Sequence, residues 1–245
     1  MNRFWEFYVV RYFVGTVVGS VIVALLLYHP ESIIAQTTSL KIDSITKLQP
    51  HHFLVAATLG LAFCYISSSP ILVLHTTRCY LSYLDKLKVI GNRWVLNALI
   101  LIFSMILGYF YIESDAYNKH IHVSVTLVIF VIVYQALLVS FALRDKLNEL
   151  FDFYKSLVNV RAGVDNDKVI AEYTESYKHL REHGNAFLIL LFESILGAAL
   201  FFSNNINFVV SIIVIWLTPS LFVWFFATYL ESKMGSLSQD QPDGQ

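Results

Sequence analysis

Charge is scarce in this chain. Asp, Glu, Lys and Arg together make up 14% of its residues, and 56% are hydrophobic. A soluble domain carries about 25% charged and about 45–50% apolar residues. That imbalance places the chain in the membrane class before any local reading. The formal net charge is −1 and no basic patch occurs, so no direct nucleic-acid binding is expected. Cysteine is nearly absent as well. Cys64 falls in an apolar stretch and Cys79 beside Arg78, which gives neither a disulfide framework nor metal-ligand spacing. There is no P-loop, no G-x-S-x-G, no dinucleotide fingerprint and no paired soluble carboxylates. A protein that is not an enzyme is expected, with no cofactor and no metal. No N-x-[ST] acceptor occurs, which fits a bacterial inner membrane. The first apolar run is too long for a signal-peptide core and no A-x-A site follows it, so it reads as a signal anchor.

What is present is long apolar runs. Crossing a bilayer takes about 20 mainly apolar residues. Six segments meet or approach this: Val9–Tyr28, Phe53–His75, Trp94–Ile112, Val123–Leu143, Ala186–Ser203 and Phe208–Leu230. The fifth is the shortest and carries Glu193. Of the 17 Lys and Arg residues, only Lys41, Lys47 and Lys119 fall on one side when the six spans alternate. The remainder lie on the side of both termini, which makes that side cytoplasmic. Trp5 and Tyr8 open the first span, Trp94 the third, and Trp224 and Tyr229 close the sixth, as interface aromatics do. The expected fold class is all-α: a polytopic membrane protein, a six-helix transmembrane bundle with a cytoplasmic helical hairpin.

Four regions follow. Residues 1–143 hold transmembrane helices 1 to 4, 144–185 the hairpin, 186–230 helices 5 and 6, and 231–245 a disordered cytoplasmic tail. The outer loop from His29 to His52 is polar, with no obvious core. In the hairpin, Leu147, Leu150, Phe151, Tyr154, Leu157 and Val158 recur at helical spacing. Arg161–Asp167 is the turn, Val169, Ile170, Tyr173, Tyr177 and Leu180 mark a second stripe, and Gly184 is the expected end of that helix. About 40 residues cannot form an independent core. The hairpin is either a plain connector or a partner-docking element, with Phe151, Tyr154, Tyr173 and Tyr177 as the docking face.

Glu193 is the sharpest single residue. It stands mid-span in FLILLFESILGAALFF, where an ionised carboxylate costs several kcal/mol. It reads as part of an ion, proton or gating pathway, or as a hydrogen-bonded lock. Gln135, Asn97 and the Ser67-Ser68-Ser69 run are its candidate partners; Arg11 is nearer an interface and can snorkel. Pro70 and Pro219 each remove a backbone donor, so kinks are expected at both. Gly15 and Gly19 form G-x-x-x-G, and Ala56 and Gly60 a looser small pair; such residues mark faces where helices pack closely. His179-Leu-Arg-Glu182-His183 matches H-x-x-E-H, but a hydrolase also needs a third ligand and a catalytic domain, so it reads as a solvated helix face. The outer pairs His51-His52 and His120/His122, with His29, are open to metal or pH sensing or are ordinary loop histidines.

A small multi-spanning chain with one intramembrane acid, no enzyme motif and a cytoplasmic docking element resembles, in format, the membrane effectors of bacterial antiphage systems of the retron-associated and abortive-infection type. That resemblance implies an inner-membrane effector that perturbs the membrane when a cytoplasmic protein or ribonucleoprotein partner releases it, in contact with the lipid bilayer and as a homo-oligomer. Two other readings stand beside it: a small secondary transporter or ion channel, and a membrane scaffold or accessory subunit.

Overall fold

The computed structural model describes residues 4–42, 47–78, 93–111, 119–144, 150–155 and 168–239. Their regular structure is helical throughout, with no strand among the described residues. The helices are α1 (Phe4–Tyr28), α2 (Ile33–Thr38), α3 (Pro50–Ser67), α4 (Ser69–Thr76), α5 (Arg93–Tyr111), α6 (Lys119–Arg144), α7 (Lys168–Phe201) and α8 (Ile206–Gln239). Residues 150–155 are also helical.

The described residues of all six apolar segments are helical, apart from the turn at Ser68 and the last two residues of the fifth, Phe202 and Ser203. Four stretches are long and apolar enough to cross a membrane: Pro50–Thr76, His120–Leu143, Gly184–Phe201 and Ile206–Tyr229. Two shorter apolar stretches, Tyr12–Tyr28 and Asn97–Tyr109, lie within α1 and α5. Large apolar side chains cover the outside: Leu54 is 69% exposed, Phe225 68% and Phe13 66%. Helices satisfy their own backbone hydrogen bonds, so an apolar exterior of this kind suits lipid and would be a liability in water.

Local chemistry sets the helix ends. Pro50 occupies the first turn of α3, where a missing N–H costs nothing. The Gln49 side chain accepts from the His52 backbone, and Gln49 N–H donates to His52 Nδ1 at 2.9 Å. Asn205 Oδ1 accepts from the Asn207 N–H at 2.8 Å and caps α8.

Two apolar clusters fill the interior. One joins Val23 and Leu26 of α1, Phe63 of α3, Val131 of α6, Phe192 and Leu196 of α7, and Trp216 of α8. The other joins Val73 of α4, Leu138 and Ala142 of α6, Leu150 and Phe151, and Val223 and Phe226 of α8. α5 is peripheral. It packs on α6 at Gly108, where a Cβ would stand 2.8 Å from Thr126 Oγ1, and Leu99, Ile102, Phe103 and Tyr109 of α5 are exposed.

Three expectations need correction. Gly184 does not end a helix: α7 runs unbroken from Lys168 to Phe201. A glycine inside a helix costs only about 1 kcal/mol, and nothing lies within 4 Å of a Cβ at that site. The boundary at 185/186 therefore falls inside one helix. The tail from Gly235 is helical as far as Gln239, and 240–245 lie outside the described residues. The polar outer loop contains α2, whose Ala35 is buried and whose Ile33 and Ile34 pack on the first apolar cluster. Pro219 lies inside α8, which continues through it; the Thr218 hydroxyl donates to the Val214 carbonyl at 2.7 Å beside it. The hairpin turn Arg161–Asp167 lies outside the described residues.

Candidate functional site

The site forms where α1, α3 and α7 meet. Gly15 and Gly19 present one face of α1. A Cβ at position 19 would stand 2.6 Å from the Gly60 carbonyl oxygen and 3.2 Å from Glu193 Oε1. One at position 15 would stand 2.5 Å from Cys64 Sγ, 2.9 Å from Ile189 Cγ2 and 3.4 Å from Glu193 Oε1. The Ser20 backbone and hydroxyl occupy the space a side chain at Gly60 would need. Glycines on both helices thus bring the α1 and α3 backbones into contact, which no larger residue allows. On α7, Gly197 does the same for Ile22, 2.6 Å from its would-be Cβ.

Glu193 is 0% exposed at this crossing. Neither carboxylate oxygen meets a nitrogen or hydroxyl donor among the described residues. The nearest polar company is the buried Cys64 thiol, which faces the carboxyl. A thiol is a weak donor. The surroundings are therefore tight and nearly apolar, a setting in which a charge without a strong partner is expensive.

None of the expected partners whose side chains are described bonds to Glu193. Ser67 and Ser68 hydroxyls turn back to the Cys64 and Tyr65 carbonyls of their own helix, at 3.1 and 3.3 Å. Gln135 is 1% exposed on α6, with neither amide atom bonded among the described residues. Asn97 is half-buried on the peripheral α5. Arg11 lies outside the residues whose side chains are described. Sequence reasoning missed Cys64 as the neighbour of Glu193, and Gly60 as the partner of Gly19. Gly60 had been noted only as half of a small-residue pair.

Pro70 marks a real break. α3 stops at Ser67, Ser68 is a turn, and α4 begins at Ser69. Pro70 has no N–H for the Ile66 carbonyl, and the Ile71 N–H bonds to Ser68 at 2.9 Å rather than to Ser67. A backbone N–H at the end of α3 bonds the Ile66 carbonyl, and α8 meets both carbonyls: the Trp216 indole N–H lies 3.2 Å from Ile66 O and 3.3 Å from Ser67 O.

The segment 150–155 is tied to the end of α4. Phe151 is buried among Val73, Leu138, Val223 and their neighbours. Tyr154 donates its hydroxyl to the His75 and Thr76 carbonyls, at 3.0 and 3.3 Å. The Arg78 guanidinium lies 5.4 Å from the Phe153 ring and 5.5 Å from the Tyr154 ring. His75 Nε2 meets Asn185 Oδ1 of α7 at 2.8 Å. The face expected to dock a partner at Phe151 and Tyr154 is thus covered by its own chain. Tyr173 and Tyr177 belong to α7, but their side chains lie outside the described residues.

The histidines scatter along the other end. His29 packs edge-on to Phe201, His120 stacks on Phe202, and His51 lies 4.0 Å from His52, centroid to centroid. No group of three or more His, Cys, Asp or Glu able to hold a metal occurs among the described residues. Comparison with protein-family models, with curated proteins and with solved structures finds no match to this chain.

Proposed function

We propose that this chain is a six-span protein of the bacterial inner membrane, with both termini cytoplasmic, that changes the permeability of the bilayer when a cytoplasmic partner releases it during antiviral defence. The observation that carries this reading is the buried Glu193 carboxyl. An acid with no strong partner, sealed between glycine-lined helices, is costly to keep. Tight packing around it suits a bundle held shut at rest. Parting α1 from α3 and α7 exposes the acid to water and gives ions a polar contact in mid-membrane.

A partner has a mechanical route to that site. Tyr154 grips the last carbonyls of α4, α4 joins α3 through the Ser68 turn, and α3 carries Gly60 and Cys64. Pulling on the 150–155 segment therefore loads the helix that closes over Glu193.

The second reading is a small secondary transporter or ion channel. The interrupted α3–α4 helix favours it, because broken helices line the sites of many transporters. Membrane potential separates the two. It is measured with a voltage-sensitive dye in cells carrying this gene and its neighbours, before and after phage challenge. An effector leaves resting cells polarised and depolarises challenged ones. Equal potentials before and after challenge remove the effector reading.

A further inference from the structure

Three further polar residues, Ser69, Gln135 and Ser220, stand on α4, α6 and α8. Gln135 and Ser220 are 1% and 5% exposed. Both amide atoms of Gln135 and the hydroxyls of Ser69 and Ser220 are buried without a hydrogen-bond partner among the described residues. Their neighbours one helical turn away put these side chains together.

One turn further on come Val73, Leu138 with Val139, and Val223, which pack together in one cluster. Residues three or four apart share a helix face, so the three polar side chains point toward the same interior. One turn earlier, Val131 and Trp216 belong to the other cluster. The polar level is a seam between two apolar plugs, and Pro70 and Pro219 adjoin Ser69 and Ser220 there.

We propose that Ser69, Gln135 and Ser220 form one internal site that binds water. Buried polar groups in native proteins are satisfied almost without exception, and each one left unmet costs about 1–3 kcal/mol. The chemistry selects the ligand. The Gln135 amide needs both a donor and an acceptor, and each hydroxyl can serve as either. A cation leaves Gln135 Nε2 unmet, and an anion leaves Oε1 unmet. Water meets all of them. It lets α4, α6 and α8 meet at a seam that reshapes by exchanging water rather than by repacking carbon.

The test is X-ray hydroxyl-radical labelling of the full chain in detergent, because bound water oxidises the side chains beside it. Leu138 and Val223, 1% and 0% exposed, should be labelled in the wild type and spared in Gln135→Leu. Failure to label either residue in the wild type, at doses that label the exposed loop residue Leu40, overturns the proposal. Thermal unfolding gives a second readout. If water bridges the site, Gln135→Leu and Ser220→Ala each destabilise, and the double variant is less destabilised than the two effects added. If the groups simply sit unpaired, Gln135→Leu is as stable as wild type or more so, which also overturns it. Should Gln135→Leu fail to insert, Ser220→Ala and the wild-type labelling still decide.

Discussion

The indole N–H of Trp216 stands 3.2 Å from the Ile66 carbonyl oxygen, in the role that the backbone nitrogen of Pro70 cannot fill. A proline-broken helix and an aromatic residue on a different helix thus form one unit. Trp216 is 0% exposed and also joins the apolar cluster with Phe192.

Trp216→Phe keeps most of the packing and removes the donor. It should cost about 1–3 kcal/mol, the penalty for a stranded buried carbonyl, read as a lower unfolding temperature in detergent. Pro70→Ala restores an N–H to the helix, so the same tryptophan change should cost less in that background. Additive effects in this double-mutant cycle would mean that the two residues are not coupled.

The glycines make opposite predictions according to their surroundings. Gly19→Ala places a Cβ 2.6 Å from the Gly60 carbonyl oxygen, a backbone atom that cannot yield without moving α3. It should destabilise the fold and separate α1 from α3, seen as faster cysteine-reagent labelling at Cys64. Gly184→Ala has open space around it and should be neutral, or stabilising by up to about 1 kcal/mol. Equal effects of the two would contradict the close helix contact.

The 150–155 segment predicts a split between fold and recognition. Phe151→Asp puts a charge into a buried apolar cluster and should unfold or strongly destabilise the protein. Asp152 and Lys155 are exposed. Reversing both charges should leave unfolding unchanged and weaken capture of a cytoplasmic partner, measured by co-purification from cells carrying the neighbouring genes. Unweakened capture would place docking elsewhere.

Topology has its own measurement. Reporter fusions at His120 and Gln245 should report opposite sides of the membrane. The same side for both would remove a span, and the Glu193 segment is the first to question.

The apolar runs were legible because twenty carbon-rich residues in a row have one inexpensive arrangement in lipid. The expected spans are helical over their described residues with ends that shift by a few residues, apart from the second, which breaks at Ser68 into α3 and α4, and from α7 and α8, which run on past the apolar runs. That extension was hidden because Gly184 read as a stop and the apolar-poor tail as disordered. A glycine ends a helix only where the chain must turn, and at Gly184 nothing forces it to. α2 was hidden for the reverse reason. Ser, Thr and Gln gave its region a polar average, while Ile33, Ile34 and Ala35 supply the short apolar face that packs. Glu193 stood out because a carboxyl is costly in mid-span. Its neighbour Cys64 did not, since contacts between helices leave no periodic trace in one chain. The Trp216 bond to Ile66 escaped notice likewise, although Pro70 announced that some donor was needed there.

The central claim is that Glu193 works, rather than merely fits, inside the bundle. Glu193→Gln keeps size and hydrogen bonding and loses the ionisable proton; Glu193→Leu loses both. The measurement is membrane potential, by voltage-sensitive dye, in phage-challenged cells that express wild type or either variant at equal levels with the neighbouring genes present. Wild-type cells should depolarise, and cells with either variant should hold their potential. Depolarisation of the Glu193→Leu cells to the wild-type extent would contradict the claim.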